Sequence, residues 1–140
     1  MPEESTTPDL VELARRAVEA VNRRDFDDAL TMFTPNAVWD WSLVGLGVYE
    51  GREAIRGFLE EWSGVYGELK MEVREGRDLG HGVGFAVVSQ RGRLPRTTAW
   101  VQEAFPLVSI WADGLIQHTA SYTDIDKARA AAERLAQERG

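Results

Sequence analysis

The feature that most constrains this fold is a change of period at Gly67. Before it, apolar residues recur at steps of three and four; after it, they alternate or run together between glycines and prolines as far as Asp124. The stretches "LKMEVREGRDLG", "HGVGFAVVSQRGRL", "RTTAWVQEAFPLVSIWAD" and "GLIQHTASYTDI" read as strands. Asp113-Gly114 in "ADGL" has the chemistry of a hairpin turn, where a left-handed backbone is needed.

The first half reads as helices. In "TPDL", Thr7 is a candidate N-cap, Pro8 suits the first helical position and Asp9 faces the positive end of the dipole. Leu10, Leu13, Ala14, Ala17, Val18 and Val21 then form one apolar stripe, opposite Glu12, Arg15, Arg16, Glu19 and Arg23. Asp25 caps a second, short helix with Phe26, Ala29, Leu30 and Phe33 inward, and Pro35 closes it. A strand follows in "AVWDW", where period two puts Val38 and Asp40 on one face and Trp39 and Trp41 on the other. Gly45 and Gly47 mark a loop, and "REAIRGFLEEW" places Ile55, Phe58, Leu59 and Trp62 at helical spacing. A terminal helix, capped by Asp124 or Asp126, covers "DIDKARAAAERLAQERG".

Three helices, a strand between the second and third, and then a meander of strands make an α+β chain with helices on one face of an antiparallel sheet. Residues 1–8 are expected to be a disordered tail and 9–140 a single domain, a usual size for 140 residues.

Composition narrows the chemistry. With no cysteine, thiolate nucleophiles, disulfides and cysteine-ligated zinc are excluded, and His81 and His118 alone do not make a histidine-rich metal site. A formal charge of −7 argues against a nucleic-acid partner, whose phosphates call for clustered Lys and Arg. No run is long and apolar enough to span a bilayer, and the acidic N-terminus lacks the flank of a signal peptide, so a cytoplasmic location and no membrane partner are expected. No glycine-rich phosphate loop or calcium-loop spacing occurs, so no cofactor is expected.

The order of "AVEAVNRRDFDDALTMFTPNAVWD", "YEGREAIRGFLEEW", "VVSQRGR" and "SIWADGLIQHTASYTD" resembles the SnoaL-like branch of the nuclear transport factor two-like superfamily. The resemblance spans roughly residues 10 to 128. It implies a cystatin-like α+β barrel, in which a cone-shaped, strongly curved antiparallel or mixed sheet wraps around three N-terminal helices. The superfamily includes ketosteroid isomerase, scytalone dehydratase and limonene epoxide hydrolase, and also proteins without catalysis. By position, Asp40 matches the general-base aspartate of the isomerases, facing the cone with its pKa raised by an apolar wall. Ala17 stands where the oxyanion-donor tyrosine belongs, the assisting acid falls near Leu107, and Ser121 replaces the epoxide hydrolase aspartate.

Other polar groups complete the expected site. His118 is a second catalytic candidate, although period two from Thr119 and Ser121, expected to face the cone, turns it outward. Tyr49, Gln102 and Ser109 can place donors in the cavity, while Phe58, Trp62, Leu107 and Trp111 shape its apolar wall. Gln90, Arg91 and Arg93 in "SQRGRLPR" read as a solvated hairpin tip. Trp39, Trp41 and Trp100 are expected on the outer sheet face, where a homodimer would bury them. Two functions fit: a cofactor-free isomerase, cyclase or hydrolase-type enzyme moving a proton on a small hydrophobic molecule, or a non-catalytic ligand-binding or structural dimer.

Overall fold

The computed structural model describes residues 10–140, so the expected tail and the cap formed by Thr7, Pro8 and Asp9 lie outside the described residues. Helices α1 (Leu10–Asn22) and α2 (Phe26–Leu30) lead into strand β1 (Phe33–Asp40). A single 3-10 turn (Ser42–Val44) and a short strand β2 (Val48–Glu50) precede helix α3 (Arg52–Gly64). Strands β3 (Glu68–Gly80), β4 (Val83–Arg93), β5 (Trp100–Ala112) and β6 (Leu115–Ser121) follow, and helix α4 (Ile125–Arg139) ends the chain. The strands form one six-stranded mixed sheet in the order β2-β1-β6-β5-β4-β3, in which only the β1–β6 pair is parallel. No helix among the described residues is long and apolar enough to cross a membrane.

Local chemistry explains the boundaries. Asp25 caps α2 by accepting from the Asp28 amide, and Asp124 caps α4 by accepting from the Lys127 amide, each satisfying a donor the helix cannot use itself. Asn22, at the end of α1, acts as a piece of strand. Its side-chain amide donates to the Met71 carbonyl at 2.9 Å and its side-chain oxygen accepts from the Met71 amide at 2.7 Å, tying the helix to edge strand β3.

The sheet separates two apolar layers. One holds Leu10, Phe33, Trp41, Ile55, Phe58 and Trp111, between α1–α3 and the sheet. The other holds Val83, Phe85, Val87 and Val108 against Ala128, Ala132 and Ala136 of α4, on the opposite face. Alternation along β4 produces both, since Ala86, Val88 and Gln90 face the first layer and Val83, Phe85 and Val87 the second. Alanines every fourth residue let α4 lie close on the sheet.

Four expectations are corrected. Strand β1 has the opposite facing: Trp39 and Trp41 point to the helices, while Val38 and Asp40 point away. The energetics decide this, because the buried Trp41 and the half-buried Trp39 gain about 1–3 kcal/mol each, whereas the expected facing would have desolvated a carboxylate at a cost of several kcal/mol. A homodimer face built on Trp39 and Trp41 therefore loses both residues, and α4 covers part of that outer face. Pro35 does not close α2, which ends at Leu30, but lies in an irregular stretch of β1 where its pairing with β6 shifts register. Gln90, Arg91 and Arg93 belong to β4, and the turn falls beyond them at residues 94–99.

Candidate functional site: an aromatic cavity between helices and sheet

Between α1, α3 and the inner face of the sheet lies a cavity of about 100 Å³. Trp41, only 4% exposed, is its hub, with ring centroids 5.5 Å from Trp39, 5.2 Å from Phe58, 5.9 Å from Trp62 and 5.5 Å from Phe105. These tilted and edge-on contacts set ring faces against ring edges, the favourable arrangement for their quadrupoles. Ala14, Ala17, Val18 and Val21 of α1 close the other side.

Few polar groups reach the wall, and almost all are satisfied. Gln90, 1% exposed, accepts from Trp62 Nε1 at 2.5 Å and donates to the Tyr66 hydroxyl at 3.1 Å. Ser109 Oγ donates to Thr119 Oγ1 at 3.0 Å, joining β5 to β6. Trp39 Nε1 donates to the Ser121 hydroxyl at 3.3 Å. Trp41 Nε1, enclosed by its neighbours, is a buried donor with no hydrogen-bond partner among the described residues. Burial raises the Tyr66 phenol above its ordinary pKa, with Glu103 adding to the rise, so it is a neutral hydroxyl at physiological pH.

Tyr66 is seated by a glycine. A Cβ on Gly92 would clash with Tyr66 Cδ1, so the ring lies against bare backbone there. Gly92→Ala is expected to displace the ring, break the Tyr66–Gln90 bond and cost about 1–3 kcal/mol, as overpacking does. Urea unfolding measures the loss, and an unchanged midpoint would show that the ring has room to move.

Among the described residues, no Asp, Glu, His, Lys or Arg lines the cavity. Asp40 is turned away from it and accepts from the Ser42 hydroxyl at 2.6 Å and the Ser42 amide at 2.8 Å. These bonds, the hydroxyl's first, lower its pKa from the ordinary value of 3.8, with a smaller contribution from the charge of His118. A general base for carbon acids needs the opposite shift and access to substrate, so the basis for the Asp40 assignment is removed. His118 pairs with Val38 and Ile110, and it too is absent from the wall.

A depressed folded-state pKa means that the Asp40 carboxylate stabilises the fold above its ordinary pKa, and that this contribution is lost as pH falls through the lower folded value. Asp40→Asn is expected to flatten the acid limb of the stability profile. The cost at neutral pH should be below about 1 kcal/mol, because the group is solvent-screened. Urea midpoints at neutral and acid pH measure both; an unaltered acid limb would show that Asp40 is not capping Ser42.

Of the expected site residues, Phe58, Trp62, Leu107, Ser109, Trp111 and Thr119 line the cavity. Tyr49 stands behind the wall with its ring 4.6 Å from Phe58, and Ser121 is fully buried behind Trp39. Gln102 is exposed and outside it. Trp39, Trp41, Gln90 and Phe105 are among the wall residues the sequence reading missed, as are Met71, Ala86, Val88 and Ile116. For Gln90 the signal was present, since period two from Ala86 and Val88 carries straight to it. Among the described residues, no group of three or more His, Cys, Asp or Glu could hold a metal ion.

This architecture is shared widely. A protein from Catenulispora acidiphila with a ketosteroid isomerase-like fold, in complex with trimethylamine, is 13% identical over 91% of this chain and 94% of its own, with a TM-score of 0.70. An LEH-like epoxide hydrolase of M. tuberculosis is 15% identical over 89% of this chain and 90% of its own, with a TM-score of 0.67. TerC, co-crystallised with polyporic acid, is 18% identical over 89% of this chain and 98% of its own, with a TM-score of 0.70. Identities this low speak for the fold alone. No curated protein matches the sequence. The sequence profile of the SnoaL-like domain matches residues 14–119, from the first helix through the last strand, and the chain belongs to that family.

Proposed function

We propose that this protein binds a compact hydrophobic molecule in the aromatic cavity, without a cofactor, and holds it rather than converts it. The observation that carries this reading is the wall itself: aromatic and aliphatic on nearly all sides, with amide and hydroxyl groups but, among the described residues, no side chain that is charged at neutral pH. Proton-transfer chemistry of the isomerase kind needs a base within hydrogen-bond reach of the substrate, and Asp40 is outside. Apolar enclosure with a few polar fixtures is the usual form of a small-ligand site.

Trp39, Trp41, Trp62 and Trp111 all border the cavity, so tryptophan emission should report binding directly. Saturable quenching by small monocyclic compounds is expected, with a stabilisation of about 2.7 kcal/mol when ligand reaches a hundred times its dissociation constant. A panel of such compounds that changes neither emission nor melting would overturn the reading.

The same reading places the protein in the cytoplasm, where an acidic, cysteine-free chain is at home. It also includes a homodimer through the part of the outer sheet face that α4 leaves open. There Trp100 is 43% exposed, with the Arg91 guanidinium 4.3 Å from its ring centroid. Sedimentation at micromolar concentration should give a dimer that Trp100→Glu weakens; a 15.7 kDa monomer for the unaltered chain would sink the dimer.

A further inference from the structure

A second, larger hollow lies beside the aromatic cavity. An open groove of about 950 Å³ runs along α1 and edge strand β3, with Arg15, Glu19 and Asn22 on its helical side and Lys70 and Glu72 on the strand. Val18, Met71 and Gln90 line both the groove and the cavity, so a single layer of residues parts the two. Elsewhere the wall is closed more firmly. Ala86, Val88, Leu107 and Thr119 project from strands that are paired on both sides, and Trp39, Trp41, Phe58 and Trp62 lock one another. Passage there would need whole strands or several rings to move together.

The three residues of the partition differ in freedom. Gln90 is held at both ends of its amide, by Trp62 and by Tyr66. Val18 is β-branched and helical, which leaves it essentially one χ1 rotamer. Met71 is half-buried and unbranched, with three rotatable side-chain bonds. Its hydrogen bonds with Asn22, at 2.9 and 2.7 Å, run through the main chain, so the strand is pinned and the side chain is left to turn. We infer that the Met71 side chain is the gate of the cavity: small apolar molecules pass between groove and cavity when the thioether swings aside, while α1 and β3 stay docked. The inference rests on the binding reading above and adds the route of entry, which makes Met71 the residue that sets how fast a ligand comes and goes.

Xenon is the probe, because single atoms of it enter dry apolar cavities. Its exchange between solution and the cavity is followed by xenon NMR, with the indole N–H signals reporting where it sits. Met71→Ile keeps the bulk but stiffens the side chain. It is expected to slow entry and exit together by about two- to tenfold, as one off-rotamer torsion does when added to a barrier, and to leave the affinity unchanged. Met71→Ala should speed both. Ile116→Val, at a residue that lines the cavity but not the groove, should alter affinity and leave the entry rate as it is. Because Met71→Ile conserves volume, it decides the matter if Met71→Ala fails to fold. Exchange rates indifferent to both Met71 variants, or an entry rate that changes with Ile116→Val instead, would overturn the gate while the binding cavity stands. No xenon in the cavity at any pressure would overturn the binding reading and the gate together.

Discussion

Phe58→Ala is expected to lower the free energy of unfolding by about 3–5 kcal/mol. The ring is 6% exposed and lies 5.7 Å from Trp39, 5.2 Å from Trp41, 4.6 Å from Tyr49 and 5.8 Å from Trp62, centroid to centroid. Truncation removes its transfer free energy and leaves a void beside a cavity that already exists. Three of these four aromatics, Trp39, Trp41 and Trp62, are also held by other rings and have little freedom to collapse into the gap, which puts the cost toward the upper end of the range. Against a typical total of about 5–15 kcal/mol, such a loss brings the protein close to unfolding at ambient temperature. Urea unfolding with an unchanged slope would measure it, and Phe58→Leu should cost less than half as much because most of the volume is kept. A loss below about 1 kcal/mol would mean that the rings do close the space, and that the cavity is far softer than its packing implies.

The alternation that made the strands legible could not decide which face of β1 looks inward. Period two fixes that Asp40 and the pair Trp39 and Trp41 lie on opposite sides, and nothing within "AVWDW" itself says which side meets the helices. Matching Asp40 to the isomerase aspartate chose one parity; the burial free energy of the two indoles chose the other. In the structure the facing of β5 and β6 is fixed from either side, since Thr119 opposes both Ser109 on β5 and Trp39 on β1. Gln90 was misplaced for a different reason. Its neighbours Arg91, Gly92 and Arg93 are turn-like in composition, yet β4 runs on to Arg93 because β3 and β5 pair with it along its full length. Tertiary pairing outweighs local propensity there. Helix α4 was legible from its cap and alanines, but its docking on the outer face was not, because a helix with alanines every four residues can pack against either face of a sheet.

That outer docking limits what the family assignment implies about function. The SnoaL-like profile describes a scaffold, and the activities hosted on such scaffolds depend on which polar side chains reach the interior. In this chain the position expected to hold a base instead aims its carboxylate at Ser42, and the interior is left to indoles, an amide and hydroxyls. The polar side chains on the cavity wall, Gln90, Ser109 and Thr119, carry no charge at neutral pH.

The β3–β4 turn gives the sharpest test of how the sheet is held. His81 and Gly82 both have positive φ, 57° and 79°, as a two-residue hairpin requires. Gly82 is also pressed against β5: its carbonyl accepts from the Trp111 amide at 2.7 Å, and an added Cβ would stand 2.7 Å from the Trp111 carbonyl oxygen. Gly82→Ala should therefore incur two costs, left-handed strain of about 1 kcal/mol and a backbone clash of about 1–3 kcal/mol, together about 2–4 kcal/mol. Gly80→Ala separates them. Its φ is 85°, and nothing lies within 4 Å of its added Cβ, so it carries the strain alone. The difference between the two variants in urea unfolding reads the contact with Trp111, whose side chain borders the cavity. Equal losses would mean that the turn moves off β5 at no cost; a larger loss for Gly82→Ala, with broadened Trp111 indole signals, would show that the hairpin tip holds one wall of the aromatic cavity in place.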